Sequence, residues 1–363
     1  MNPKTTPAPS GANTARYSRT AVRTVDMRSD TLTQPTPGMR RAMANAELGD
    51  DFFGEDRNVN RLQEVAAERM GKEDALFVSS GTMGNLIGVL VNARRGQEII
   101  ADADAHVFLF EAGGAAALGG VQIMPVHTDT GVITPTQITE HIRPDDQHHP
   151  VTAAVTFEDT HNRHGGTAWP LAELQAAAET ARDAGLAVHM DGARIFNAAA
   201  ATGASARAIA RCADTVTFCL SKGLGAPAGS VLCGPFDKIA EAKRWRKMLG
   251  GGMREIGMLA AAGLVALDTM VDRLVEDHSN ARTLADGLAE LPGVEIDLDR
   301  VQTNLVIFEV TTMAPERFLA ECAARGLKGG GMGGRKVRFV TRHGIEPDDI
   351  AHALGVCSEV LSA

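Results

Sequence analysis

Two residues with complementary chemistry stand at the ends of apolar runs. Lys222 follows Thr215-Val216-Thr217-Phe218-Cys219-Leu220 and sits in Ser221-Lys222-Gly223-Leu224-Gly225. A lysine that forms an imine with a carbonyl compound often stands in such a place, between a buried strand and a glycine turn, where a dry setting keeps the amine nucleophilic. Taken alone, Lys222 is more often an ordinary turn lysine. Asp191, in Val188-His189-Met190-Asp191-Gly192-Ala193-Arg194, holds the matching strand-end position, where by itself it reads as a helix N-cap. The two together suit pyridoxal phosphate. The carboxylate keeps the ring nitrogen protonated, the lysine holds the aldehyde, and the ring becomes an electron sink.

Other residues add to the pair. Ser80-Gly81-Thr82-Met83-Gly84-Asn85 follows a strand and opens a helix, so backbone N–H groups there can approach a phosphate with the helix dipole behind them. An isolated SGT is also a plain βα turn. The segment is neither a GxGxxG fingerprint nor a Walker loop, which disfavours nucleotide binding. Arg194 can pair with a substrate carboxylate or form a surface ion pair. Lys247 and Arg254 bracket Gly250-Gly251-Gly252-Met253, a basic turn that suits an anion, although the same charges suit a solvated helix face. His106 stands at a strand-to-helix boundary; it is either structural or, beside a cofactor, a stacking ring that exchanges protons near neutral pH. His161-x-x-His164 has metal-like spacing. No third ligand lies nearby in sequence and Gly165-Gly166 marks a loop, so no metal is expected. His148-His149 before Pro150 is equally weak as a ligand pair.

These residues need a frame. Apolar runs at 75–79, 97–101, 121–126, 151–157, 186–190, 215–220 and 230–233 read as strands, with helices at 84–93 and 171–184 between them. Such alternation predicts a mainly parallel, doubly wound sheet, in which ligands bind beyond the carboxyl ends of the strands. Glu158, Asp191 and Lys222 fall there. One long helical pattern, 253–291, leads out of the large domain and stops at Pro292-Gly293. Strands near 304–310 and 336–341 then predict a small α+β domain. The expected division is an extension over 1–25, an N-terminal segment with the large domain over 26–270 and a small domain over 271–363.

Composition narrows the function. The chain has 363 residues, ample for one large and one smaller domain. A net charge of −9 argues against nucleic acid, and 4% aromatic residues argue against single-strand stacking. Five cysteines without a CxxC pair suit free thiols in a cytoplasmic protein. No apolar stretch reaches a membrane span; 256–267 reads as a buried helix. Residues 1–24 combine Thr, Ala, Pro and Ser with basic residues and no acid, which predicts a disordered extension rather than a transit peptide.

Met27-Arg28-Ser29-Asp30-Thr31, Gly49-Asp50-Asp51, the Ser80–Asn85 segment, His189–Asn197, Cys219–Leu224 and Arg246–Arg254 together resemble the low-specificity L-threonine aldolases, from about residue 26 to the C-terminus. The resemblance implies an aspartate-aminotransferase-type α/β fold: a mainly parallel seven-stranded sheet in the large domain and a smaller α+β C-terminal domain. It makes Lys222 the Schiff-base lysine, Asp191 the partner of the pyridine nitrogen, Gly81 and Thr82 phosphate-cup residues and His106 the stacked ring. It makes Arg194 and Arg338 carboxylate binders helped by Ser29, and places His148 near the substrate hydroxyl. It brings Lys247 and Arg254 to the phosphate from a neighbouring subunit of a homotetramer. The implied reaction is retro-aldol cleavage of L-threonine, L-allo-threonine and related substrates such as phenylserine to glycine and an aldehyde, with His106 or His148 handling protons. A β-eliminating lyase or an aminotransferase of the same fold is the nearest alternative, and a cofactor-binding regulator a distant one. Two features depart from the family pattern. Phe53 and Phe110 stand where tyrosine is usual, and the one tyrosine is Tyr17, so no phenol serves as acid or base; the phenylalanines suit bulky or aryl aldehydes. Asp159 replaces the usual asparagine, with no consequence legible from sequence.

Overall fold

The structure, a computed structural model, describes residues 24–363; the tail with Tyr17 and most of the expected extension lies outside the described residues. Seven strands form the central sheet: β1 (Asp74–Val78), β2 (Glu98–Asp102), β3 (Gln122–Val126), β4 (Thr152–Glu158), β5 (Ala187–Asp191), β6 (Thr215–Cys219) and β7 (Ser230–Gly234). Their spatial order is β1-β7-β6-β5-β4-β2-β3. The pairs along β6-β5-β4-β2-β3 are parallel, and only β7 runs against its two neighbours. Alternate residues of a strand point to opposite faces. Accordingly Phe77, Val231 and Cys233 enter one apolar core while Leu76, Val78 and Leu232 enter another. Both faces are covered, which is why these strands read as continuous apolar runs rather than alternating ones.

The helix Gly81–Leu90 begins three residues earlier than its apolar pattern predicts. Glycine is a poor helix former, so Gly81 and Gly84 hide the start. Ser80 caps it, its hydroxyl accepting from the Met83 N–H at 3.2 Å. Gly81, Gly84 and Gly88 share the face that lies on the sheet. A Cβ on them would stand 2.8 Å from Cys219 Sγ, 2.5 Å from Thr217 Cγ2 and 2.1 Å from His189 Cε1. The glycines thus let the helix axis descend onto β5 and β6, with its N-terminus at the strands' carboxyl edge.

The long pattern over 253–291 is two helices, Gly257–Thr269 and Leu274–Ala289. They serve mainly different cores, although Leu274 at the start of the second still packs in the first. Ala260, Ala262, Ala266 and Leu267 join the large-domain core, whereas Ala281, Leu284, Ala285 and Leu288 join the core of the C-terminal part. That second core packs against a four-stranded antiparallel sheet containing Leu305–Val310 and Lys336–Val340. Val25 and Met27 are buried in it too, because Val25–Asp26 pairs with Leu327–Lys328. The segment before the large domain therefore ties Ser29 and Asp30 to the junction of the two cores. Among the described residues no helix is long and apolar enough to cross a membrane.

Candidate active site

Register brings the chemistry together. Asp191 ends β5 opposite Glu158 on β4, and Lys222 lies three residues beyond Cys219 at the end of β6. The turn after β6 is closed by the Gly225 N–H on the Lys222 carbonyl at 2.9 Å, leaving the half-buried side chain of Lys222 at the sheet's carboxyl edge.

Asp191 is 4% exposed. Its Oδ2 accepts from Asn85 Nδ2 at 2.7 Å and its Oδ1 from the Ala193 N–H at 3.0 Å. Asn85 also donates to Glu111 Oε1 at 2.9 Å, and that same oxygen faces His106 Nδ1 at 2.9 Å. One amide therefore spaces two buried carboxylates. The bond to Glu111 raises the His106 pKa above its ordinary value against a smaller opposing effect of burial, and burial raises that of Glu111. The His106 N–H donates to Glu158 Oε2 at 2.6 Å, fixing the start of its short helix.

Arg194 is buried rather than on the surface, and its fork is already filled. Nε and Nη2 donate to Asp30 Oδ2 and Oδ1 at 2.6 and 2.8 Å. Burial opposes the Asp30 charge, but Arg194, and more weakly Lys222, outweigh it and hold the carboxyl at about 2. Arg338 differs. It donates to Asn162 Oδ1 at 2.8 Å and to the Arg28 carbonyl at 3.1 Å, while its buried Nε has no hydrogen-bond partner. Burial, then the nearby Arg194 charge, lower its pKa to about 10. A half-buried guanidinium with a spare donor and only neutral acceptors is built for an incoming anion. Ser29 caps the adjoining turn, accepting from the Thr31 N–H at 3.2 Å and the Thr31 hydroxyl at 2.8 Å.

Gly81 and Thr82 present the free N–H groups of the helix start, with Gly81 pressed against Cys219. Lys247 and Arg254 are both exposed and flank the Phe52 ring at 5.9 and 5.2 Å; Arg254 also pairs with Asp50 at 3.1 Å. His148 is not brought to Lys222 within the chain. It lies four residues before β4, at the opposite end of that strand from Glu158, in an exposed turn where its N–H donates to Asp146. The seven residues of β4 hold the two ends about 20 Å apart. The third partner missing from His161-x-x-His164 is supplied in space by Asp102, at the end of β2.

The residues present fit pyridoxal phosphate on structural grounds: a lysine and a dry, clamped carboxylate on one edge, a helix start for the phosphate and an under-satisfied arginine for a carboxylate. The comparisons agree. A family model described as beta-eliminating lyase matches residues 26–311. A probable low-specificity L-threonine aldolase 2 of Arabidopsis thaliana is 43% identical over 94% of this chain and 98% of its own length. The low specificity L-threonine aldolase of Escherichia coli K12 is 46% identical over 79% of this chain and 84% of its own. The chain belongs to the low-specificity L-threonine aldolase family. The fold agrees as well: the Leishmania major threonine aldolase structure superposes with a TM-score of 0.80 at 19% identity, covering 92% of this chain and 98% of that one.

Three further residues hold the arrangement in place. Asp30 adjoins Ser29 in sequence, Asn85 ends the Ser80–Asn85 segment, and Glu111 follows His106 by five positions. Only their partners, 26 to 164 residues away, reveal them. The departure at Asp159 also gains a physical account. Its Oδ1 accepts from the Thr160 and Trp169 N–H groups at 2.8 and 3.1 Å, while Oδ2 is buried without a partner. Burial pushes its carboxyl up to about 6. Protonated, it is as neutral as the asparagine that the family resemblance leads one to expect there.

Proposed function

We infer that this chain is a pyridoxal-phosphate-dependent carbon–carbon lyase that cleaves threonine-type β-hydroxy-α-amino acids to glycine and an aldehyde. The observation that carries this reading is Lys222 and the clamped Asp191 on one sheet edge, in a chain 46% identical to a low specificity L-threonine aldolase. Lys222 would hold the cofactor between turnovers, and the cofactor's ring would supply a sink for the electron pair left when the substrate's Cα–Cβ bond breaks.

The chain's residues do the rest. Gly81 and Thr82 offer N–H groups to the phosphate. Asp191 accepts the ring-nitrogen proton's hydrogen bond and is kept in place by Asn85. Arg338 holds the substrate carboxylate, with Ser29 beside it and Arg194, locked by Asp30, supporting the site. His106 Nε2 takes the β-hydroxyl proton while Glu111 holds the Nδ1 side; general-base catalysis of this kind contributes about 10²–10⁴-fold. A contribution from His148 would have to enter the site of a neighbouring copy.

L-Threonine and L-allo-threonine are the proposed substrates. Phenylserine is included because the Phe110 ring lies 5.7 Å from that of His106 and offers an apolar wall. A homotetramer is proposed because Lys247 and Arg254 stand exposed around the exposed Phe52, a basic and apolar patch that a partner chain would cover. Five buried free cysteines support a cytoplasmic location. The proposed division remains 26–270 and 271–363, with Val25 and Met27 packed in the smaller core.

The test is a panel of β-hydroxy amino acids incubated with purified holoenzyme and with Lys222→Ala. Equimolar glycine and aldehyde from the wild type, and none from the variant, is the expected result. Ammonia with a keto acid would instead indicate β-elimination, and turnover that needs an added keto acid would indicate transamination.

A further inference from the structure

One buried polar cluster has no part in this mechanism. Asp102 ends β2, and His161 and His164 lie on the turn that follows β4. His161 Nε2 is 3.1 Å and His164 Nε2 3.6 Å from the same oxygen, Asp102 Oδ1. One ligand atom from each of the three residues lies within 4.8 Å of the others. These contacts lack hydrogen-bond geometry: both Nε2 atoms, and His161 Nδ1, are buried without a hydrogen-bond partner. His161 is 0% exposed. Leaving such a group unmatched costs about 1–3 kcal/mol, so a fully buried ring at ion-pair distance from a carboxylate but off its hydrogen-bond axis leaves a place for a third body between them.

A cation of zinc type meets that demand. Ligand atoms at 2.0–2.1 Å around a tetrahedral ion stand about 3.3 Å apart. The two observed separations fall on either side of that edge. We propose that Asp102, His161 and His164 bind one zinc-class divalent cation per chain.

The surroundings are those of a ligand set. Thr128 Oγ1 donates to Asp102 Oδ2 at 2.6 Å and the Asp104 N–H to Oδ1 at 2.9 Å, so the carboxylate is fixed from behind. Gly131 leaves room for the imidazole: a Cβ there would stand 2.5 Å from His161 Cδ2. Asp104 Oδ2, 3.6 Å from His164 Nε2 and 45% exposed, faces solvent and marks a fourth position and an entry path. Glu158 Oε2 lies 3.8 Å from His161 Nε2 on the inner side. Because that oxygen also accepts the His106 N–H, an ion here would brace the loop that positions His106 without touching substrate.

Chelator-treated holoenzyme, titrated with Co²⁺ as a spectroscopic probe and then with Zn²⁺ as competitor, tests this. The expected result is a visible d–d band that saturates at one Co²⁺ per chain and is displaced by Zn²⁺. His164→Ala should weaken uptake at least about tenfold while the cofactor absorbance and the melting temperature in chelator stay unchanged. His149→Ala, which alters an exposed His–Asp pair elsewhere, should leave uptake intact. Absence of the band in the wild type overturns the proposal, as does equal uptake by His164→Ala or loss of uptake in His149→Ala. If His164→Ala does not fold, X-ray absorption of the Zn²⁺-loaded wild type decides: two imidazoles in the ligand shell support the site, and none refutes it.

Discussion

Arg194 binds both oxygens of Asp30, at 2.6 and 2.8 Å, inside the protein. Of the two arginines that the family resemblance gives to the substrate carboxylate, this one is therefore largely committed before substrate arrives. A bidentate guanidinium with its fork filled supports a site electrostatically but offers little to a second carboxylate. Arg338, with an orphaned Nε and no carboxylate within ion-pair distance among the described residues, keeps a donor to spare and is the arginine proposed for the substrate carboxylate.

Replacing Arg338 by alanine should therefore lower kcat/KM for L-threonine by about 10–100-fold, the loss of a charge-assisted hydrogen-bonded contact. The melting temperature should change little, because only neutral acceptors are left behind. Steady-state kinetics with a threonine series check this, and an unchanged kcat/KM would transfer the role to Arg194.

Glu111 sets the charge of His106. Its hydrogen bond raises the His106 pKa; with His106 as the proposed base, activity should climb with pH through that raised value, where the ring becomes neutral. Glu111→Gln removes the effect. The acidic limb of the kcat/KM profile should then move to lower pH, while a purely structural role for Glu111 would leave its position unchanged.

Asp159 predicts a stability difference that depends on pH. Its carboxyl titrates at about 6 folded and near 3.8 in an ordinary setting. The folded state then holds more protons between those values, so this residue's contribution to stability falls as pH rises from about 4 and levels off above its folded pKa. The full cost at pH 8 is about 3 kcal/mol. Asp159→Asn should raise stability at pH 8 and have little effect at pH 4; denaturant unfolding at both values measures it, and an equal effect at the two would contradict the account.

Gly88→Ala tests the descent of the helix onto the sheet. The new methyl would meet the buried His189 imidazole at 2.1 Å, too close for either to remain. His189 is fully buried and bonded to Thr215 Oγ1 at 2.9 Å, so it has no room to yield. A destabilisation of about 1–3 kcal/mol is expected in thermal or chemical unfolding, despite alanine's better helix propensity.

What was legible in the sequence follows from locality. The seven strands emerge from their apolar runs because a strand covered on both faces must be apolar throughout. Lys222, Asp191 and Gly81 emerge because a strand end followed by a turn is a local pattern. Boundaries blurred where a local rule was overruled: glycines hid the start of the helix at Gly81, and continuous helix-forming residues hid the break after Thr269, where the chain leaves one core for another.

The sequence alone determined the class of fold, the cofactor chemistry and the family, because each rests on short segments whose residue types are fixed by one function. Tertiary structure alone decided how those segments meet. It gave Asp30 to Arg194, put Asn85 between Asp191 and Glu111, set His148 at the far end of β4 and brought Asp102 to His161 and His164. Each of these depends on which strands lie side by side, and strand order is set by burying two faces of a sheet at once, a condition on the whole chain rather than on any window of it.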